Sequence, residues 1–513
     1  MAKLIIIGLD GVGPDLIEKL DKENRIPYIK KIIQGGFLKS LESVLLPVTI
    51  PAWPCMVSGQ NPGEIGSFSL FAKEGYTSRV KTVTNCTPFW EKLNLKVGLL
   101  NIPGTYPVKP VKGGFMMSCM FTPSGAKEFI YPPELKDELK EELKNFEFAL
   151  AWNNEDDLIQ RATNLTSLRF KILEKLYFKY QPEICMVVEN NTDILQHYLI
   201  KYFDENSPLY KENKYKEKVY TYFEHLDSLI GRFTQKIDDA IILIVSDHGQ
   251  VSLKGNICLN HWLEEKGYLV LKKRKKRSFL SQFFLKIKID ETKIEKLLKR
   301  LKIRRLVYRW LWGSGLGKFF INEGGLTWSI AVEEDIIDFS MTKAFSAVGQ
   351  GFIYINDRSE EKGIVSDHDY EKVRARLIKN LKNLKIVGAK IAVKKREEVF
   401  QGKQIHEAPD LLVYDENFSY WPITVVGSSK LIQEIGPDFP RPGDHHIKGI
   451  LISNKKSLEK ESFKIQDVHS IVMDIFKDKI KEGSKIKEGK DQPFTFNNEE
   501  EIKKRLERLG YFS

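Results

Sequence analysis

An α/β fold built on a mostly parallel central sheet is what this sequence predicts, and three observations predict it. Through residues 1–270, short apolar runs alternate with longer stretches in which apolar residues recur at helical spacing. The short runs are almost wholly apolar rather than alternating, the pattern of strands buried on both faces. Three of them, LIIIG, ICMVV and IILIVS, lead to aspartates: Asp10, Asp193 and Asp247. In open α/β sheets ligands bind at the carboxyl ends of the strands. Three acids at such ends, distant in sequence, read as one metal site assembled by folding.

Taken in order, strands are expected at 3–9, 96–101, 184–190 and 241–246, with helices at 134–145, 157–179 and 215–231 between them. Residues 45–68, LLPVTIPAWPCMVSGQNPGEIGSF, are dense in Pro and Gly. Prolines fix φ and discourage a continuous helix across Thr49, so its hydroxyl sits on a rigid segment. From about 338 the α/β texture resumes: KAFSAVGQGFIYIN, PDLLVYD and GILISN read as strands, and DVHSIVMDIF, starting at Asp467, as a helix packing on the sheet. The expected division is a catalytic α/β domain from 1–270 and 338–480, a basic helical insertion or cap at 271–337, and a charged tail at 481–513 ending in a short helix. The insertion, LKKRKKRSFLSQFFLKIKIDETKIEKLLKRLKIRRLVYRWLWG and onward, is either a solvated surface element or a basic amphipathic face that makes weak contact with an anionic membrane.

At 513 residues the chain can bury a large core, and a hydrophobic share of 42% excludes global disorder. The net charge of +11 comes with Lys and Glu interleaved, as on a solvated surface, so nucleic acid is not the expected partner. Cysteines at 55, 86, 119, 185 and 258 form no CxxC pair, the usage of a reducing compartment. The first apolar run is too short for a signal-peptide core, and no stretch approaches ~18 apolar residues. A cytoplasmic, soluble protein is expected.

The chemistry gathers in four segments. In TDILQH, Asp193 and His197 are four residues apart, which puts both side chains on one helix face. In SDHG, Asp247 and His248 follow an almost unbroken apolar strand, where burial without a partner or metal would be costly. GDHHIKG offers His445 and His446 in a Gly-bounded loop before a strand, and on the residues alone either could serve. Thr49 completes the set; two cations sharing the site could turn its hydroxyl into a nucleophile. Mixed oxygen and imidazole donors suit zinc, manganese or iron better than calcium.

The motifs LIIIGLDG, PVTIPAWPCMVSGQNPGEIG, TDILQH, SDHG and HHIKG, in this order, resemble those of the alkaline phosphatase superfamily, and within it the type I phosphodiesterase/nucleotide pyrophosphatase branch. The resemblance implies an alkaline-phosphatase-like three-layer sandwich and a hydrolase cleaving phosphodiester or pyrophosphate bonds of a small-molecule phosphate ester. It implies two divalent ions, zinc first and manganese as the alternative. One would be held by Asp10, Thr49, Asp247 and His248, the other by Asp193, His197 and a late histidine. In the family that histidine stands four residues before a glycine; His445 fits, with Gly449, and His446 does not. Thr49 would be the nucleophile of a covalent intermediate.

Two departures bear on substrate. Nucleotide pyrophosphatases carry a histidine where this chain has Ile65, and a phosphate-clamping asparagine shortly afterwards, which SFSLF at 67–71 lacks. Rival readings are a phosphomonoesterase, a cofactor-independent phosphoglycerate mutase relative (a group with serine in the nucleophile slot), and a metal-stabilised protein that docks on a membrane or partner. A sulfatase is excluded, because Cys55 is followed by MVSG rather than a CxPxR-type motif.

Overall fold

A computed structural model of the chain describes residues 3–80, 85–272 except 124, and 337–480 except 427, 429, 438 and 440. The runs that predict strands do form them. Nine strands make the main sheet: β1 (Lys3–Leu9), β2 (Phe37–Glu42), β3 (Val97–Leu100), β4 (Phe115–Met117), β5 (Ile130–Tyr131), β6 (Ile184–Glu189), β7 (Ala240–Val245), β8 (Lys448–Ser453) and β9 (Phe463–Lys464). Their spatial order is β9-β2-β8-β7-β1-β6-β3-β4-β5. The central five, β7, β1, β6, β3 and β4, run parallel. β8 is antiparallel to both β7 and β2, and β5 to β4.

The main helices are α1 (Pro14–Lys22), α2 (Pro27–Gly35), α3 (Thr49–Ser58), α4 (Glu155–Tyr180), α5 (Asn191–Leu199), α6 (Tyr215–Thr234), α7 (Asp367–Lys382) and α8 (Asp467–Ile475). The two-residue period of β1 sorts its side chains between two cores. Ile5, Ile7 and Leu9 join the cluster built with α1, α2, α4, α5 and α6. Leu4 and Ile6 point the other way, to Trp53, Cys55 and Met56 of α3 and Val468, Ile471 and Val472 of α8. Each fully buried Ile here contributes about 1.5–3 kcal/mol. This helix–sheet–helix sandwich is a three-layer α/β architecture around a mostly parallel sheet. Local signals agree with it: Pro14 opens α1, and the Asn154 side chain caps α4 by accepting from the Asp157 amide.

Two expectations are adjusted. The helix at 134–145 is two short ones, Leu135–Glu138 and Lys140–Leu143, because Leu139 leaves helical geometry (φ −99, ψ 14) as it enters the core. Of the strands expected in the resumed α/β region only GILISN, as β8, joins the main sheet, with β9 added at its edge. Ala344–Ser346, Phe352–Ile355, Leu411–Asp415 and Ile391–Lys395 form a separate antiparallel sheet. Its core, with Leu377 and Leu381 of α7, takes in Leu46 and Ile50, so this smaller layer packs beside the segment that carries Thr49. Leu271 and Ile337 form an antiparallel bridge, so the two ends of the basic insertion meet. The insertion's expected helices and the tail at 481–513 lie outside the described residues. Among the described residues no helix is long and apolar enough to cross a membrane.

Candidate metal centre

Three adjacent strands deliver the three acids. β7, β1 and β6 lie side by side, with Gly8 level with Val245 and Leu9 level with Glu189. Asp10 follows β1 directly, Asp247 follows β7 after Ser246, and α5 carries Asp193 from the end of β6. His445 comes from the far end of the chain: the strand Gly443–His446 pairs antiparallel with Gly249–Ser252, setting His445 opposite Gln250.

The sequence-predicted residues assemble into two buried groups, Asp10–Asp247–His248 and Asp193–His197–His445, the candidate atoms of each within 4.8 Å of one another. In the first, His248 Nε2 lies 3.2 Å from Asp247 Oδ2 and 3.6 Å from Asp10 Oδ1. In the second, His197 Nε2 lies 3.2 Å from Asp193 Oδ2 and 2.9 Å from His445 Nε2. The His248 and His445 rings, 3.8 Å between centroids, join the two groups.

The donor sets fit divalent cations. In the first group Asp10 Oδ1, Asp247 Oδ2 and His248 Nε2 are all buried and none has a hydrogen-bond partner. Orphaned groups of this kind cost several kcal/mol unless something charged satisfies them. In the second group the tautomers make the same point. His197 Nδ1 donates to the Gly443 carbonyl and His445 Nδ1 to the Pro47 carbonyl, each at 2.8 Å. Both Nε2 lone pairs therefore face each other at 2.9 Å, with Arg441 and Gln250 also crowding that of His197, an arrangement a cation relieves. His248 Nδ1 is held likewise by the Gly249 carbonyl at 3.0 Å.

Burial drives the ionisation of these groups, with their neighbours second. Asp10 is held well above the usual carboxylate range by burial and then by the charges of Asp247 and Asp193. Asp247 is raised by burial and by Asp193. Burial lowers His248 well below its ordinary value, and lowers His197 and His445 to about 3, with Arg441 adding to the effect at His197. Left to itself the pocket disfavours charge on Asp10, Asp247 and the three imidazoles; a cation reverses the preference at those two acids and is compatible with neutral rings.

Thr49, wholly buried, opens α3. Ile50 departs from helical geometry (φ −112, ψ 114), so the helix is broken where the proline-rich run predicts. Its neighbours reach both groups. The Pro47 carbonyl accepts from His445, and the Trp53 indole donates to Asp10 Oδ2 at 3.1 Å. His446 points elsewhere, because successive strand residues face opposite sides. It is half-buried, packs on Phe418 at 5.5 Å and accepts from the Lys448 amide.

Sequence reasoning misses Trp53, Gln250 and Arg441. Gln250 Nε2 reaches Asp193 Oδ1 at 2.5 Å, and Arg441 Nη2 reaches His197 Nε2 at 2.6 Å. None stands in a recognisable pattern, and only the pairing of Gln250 with the His445 strand brings it in. Two glycines do carry a signal. A Cβ on Gly8 would lie 2.4 Å from Trp53 Cη2, and Gly11, at φ +72, would put one 2.7 Å from Asp193 Oδ1.

With this geometry in place, a profile of the type I phosphodiesterase / nucleotide pyrophosphatase family matches residues 4–308. The chain belongs to that family. It thereby joins the phosphoryl hydrolases of the alkaline phosphatase superfamily. No curated protein matches the chain. Among solved structures, phosphonoacetate hydrolase from Sinorhizobium meliloti 1021, in complex with phosphonoformate, is 12% identical with a TM-score of 0.56, covering 92% of this chain and 95% of that one. Murine ectonucleotide pyrophosphatase / phosphodiesterase 5 is 11% identical with a TM-score of 0.48, covering 93% of this chain and 95% of that one. At such identity the likeness to phosphonoacetate hydrolase speaks to the fold.

Proposed function

We propose that the chain is a two-cation phosphoryl-transfer hydrolase that cleaves phosphodiester or pyrophosphate bonds of a small-molecule substrate with Thr49 as nucleophile. The observation that supports this most is the convergence of Asp10 Oδ1, Asp247 Oδ2 and His248 Nε2, buried and without hydrogen-bond partners, next to the segment that opens on Thr49. One cation would be held by Asp10, Thr49, Asp247 and His248, the second by Asp193, His197 and His445. The donor set favours zinc, with manganese as the alternative. When bound, such ions stabilise charge developing on phosphoryl oxygens and lower the pKa of a hydroxyl or a water.

The chain's own residues do the rest. The extended Val48 and the broken start of α3 hold Thr49 in one orientation, so little freedom is lost when the substrate docks. Thr49 Oγ1 attacks phosphorus in line as the bond to the leaving oxygen breaks, the hydroxyl proton departs, and the leaving group takes one up. Water oxygen then replaces Thr49 at phosphorus and the hydroxyl is restored. Trp53 fixes the Asp10 carboxylate, and the Pro47 carbonyl fixes the tautomer of His445.

Hydrolysis of bis-p-nitrophenyl phosphate, lost on chelation and restored by Zn²⁺ or Mn²⁺, tests the reading. No chelator-sensitive hydrolysis across a panel of diesters, pyrophosphates and monoesters refutes it.

A further inference from the structure

The nitrogen lone pair of His197 Nε2 is approached from four sides. His445 Nε2 lies at 2.9 Å, Arg441 Nη2 at 2.6 Å, Gln250 Nε2 at 3.2 Å and Asp193 Oδ2 at 3.2 Å. One lone pair accepts from one donor. The guanidinium also lies along the other ring nitrogen, with Nε 2.9 Å from His197 Nδ1. The proton on that nitrogen is already committed to the Gly443 carbonyl at 2.8 Å. Arg441 is 7% exposed, and its Nη2 lies 3.3 Å from Asp444 Oδ1. That same carboxylate oxygen takes the His445 amide at 2.9 Å. A buried guanidinium thus points at the place where the second group of candidate ligands converges. Gln250 donates to the same place from the opposite strand, and its Oε1 is buried without a partner.

Two donors aimed at a ligand nitrogen are redundant once that nitrogen gives its lone pair to a cation. Arg441, still beside Asp444, and Gln250, still donating to Asp193, would then have N–H groups next to the ligand cluster to offer an anion. We propose that Arg441 is the phosphoryl-binding cation of this site, and that it favours a terminal phosphoryl group carrying two negative charges (a monoester or the end of a pyrophosphate) over a singly charged diester. The guanidinium fork matches two non-bridging oxygens, and charge-assisted pairs strengthen with the charge of the acceptor. Gln250 supplies a neutral second donor. The proposal rests on the two-cation reading above and adds to it the charge class of the substrate.

The test is calorimetric titration of inorganic phosphate into the zinc-loaded full chain, with metal content read by elemental analysis. A Thr49→Ala background prevents any covalent adduct at Thr49, so binding is measured whether or not Thr49 is the nucleophile. Arg441→Ala is expected to weaken phosphate binding about 10- to 100-fold with metal content unchanged, and Arg441→Lys to recover part of the loss. With Thr49 intact, Arg441→Ala should lower kcat/KM for p-nitrophenyl phosphate more than for bis-p-nitrophenyl phosphate. Unchanged phosphate affinity overturns the proposal. So does loss of one bound ion, which would make Arg441 an organiser of the metal ligands instead. If the alanine variant does not fold, Arg441→Gln, close in shape and neutral, gives the same comparison. Failure of the hydrolase reading would show as absent turnover with phosphate binding still dependent on Arg441.

Discussion

Replacing Trp53 with Phe removes one hydrogen bond, from the indole to Asp10 Oδ2 at 3.1 Å, from a wholly buried environment. A bond to a charged acceptor is worth about 1.5–3 kcal/mol, and losing a partner that orients a metal ligand costs roughly 10- to 100-fold in affinity. The two estimates agree, since each ~1.4 kcal/mol is tenfold. Trp53→Phe should therefore weaken zinc binding at the Asp10–Asp247–His248 group by about 10- to 100-fold. The ring also packs in the α3/α8 core and against Gly8, so the variant should lose about 1–3 kcal/mol of stability as well. Denaturation of the chelated protein measures that loss separately. The assay for the main effect is competition for zinc against a chelator of graded strength, which resolves the two sites. The indole's one N–H goes to Asp10, so the Asp193–His197–His445 group serves as internal control. Equal weakening of both sites, or none at the first, would refute the assignment of Trp53 to Asp10.

Thr49→Ala should abolish turnover, to below about 10⁻³ of wild type, while leaving close to two ions bound, because three ligands remain at its site; a variant that keeps most of its rate removes Thr49 as nucleophile. Asp193→Ala or His197→Ala should lower zinc from about two ions per chain toward one, read by elemental analysis, and unchanged stoichiometry takes these residues out of the site. Asp10 and Asp247 are raised in the metal-free fold, so their protonation stabilises that fold at low pH, and the contribution is lost as pH rises through the raised values. The melting-temperature gap between zinc-loaded and metal-free protein should accordingly widen as pH rises above the ordinary carboxylate range. Zinc binding should release protons, measured by calorimetry in buffers of different ionisation heat; a constant gap and no release contradict the account.

Much of this was legible in the sequence because burial and catalysis leave different marks. An unbroken apolar run such as IILIV forms a strand wherever it lies in the chain, and an acid set immediately after it has few structural uses. That is why Asp10 and Asp247 stand out; Asp193 lies four residues past Glu189, the last residue of its strand, and helical spacing places it beside His197. The choice between His445 and His446 needed strand geometry, since alternation alone turns one inward. β2, with Lys39 and Ser40 among its apolar residues, and β4, of three residues, gave too little periodicity to be found. Three strands of the separate sheet at 344–415 are legible in the sequence and Ile391–Lys395 is not, and none can be told from the main sheet, because pairing is a tertiary choice. Trp53 and Arg441 were invisible for a related reason: an indole or a guanidinium acquires its role only from what folding sets against it.

The account stands on the two groups each holding a divalent cation. Elemental analysis of the full chain, stripped with a chelator and reconstituted with Zn²⁺, tests this most directly when read beside phosphodiester hydrolysis on the same samples. It predicts two ions per chain and turnover that vanishes and returns with them. A chain that binds no zinc, or that hydrolyses equally well when stripped, would contradict it.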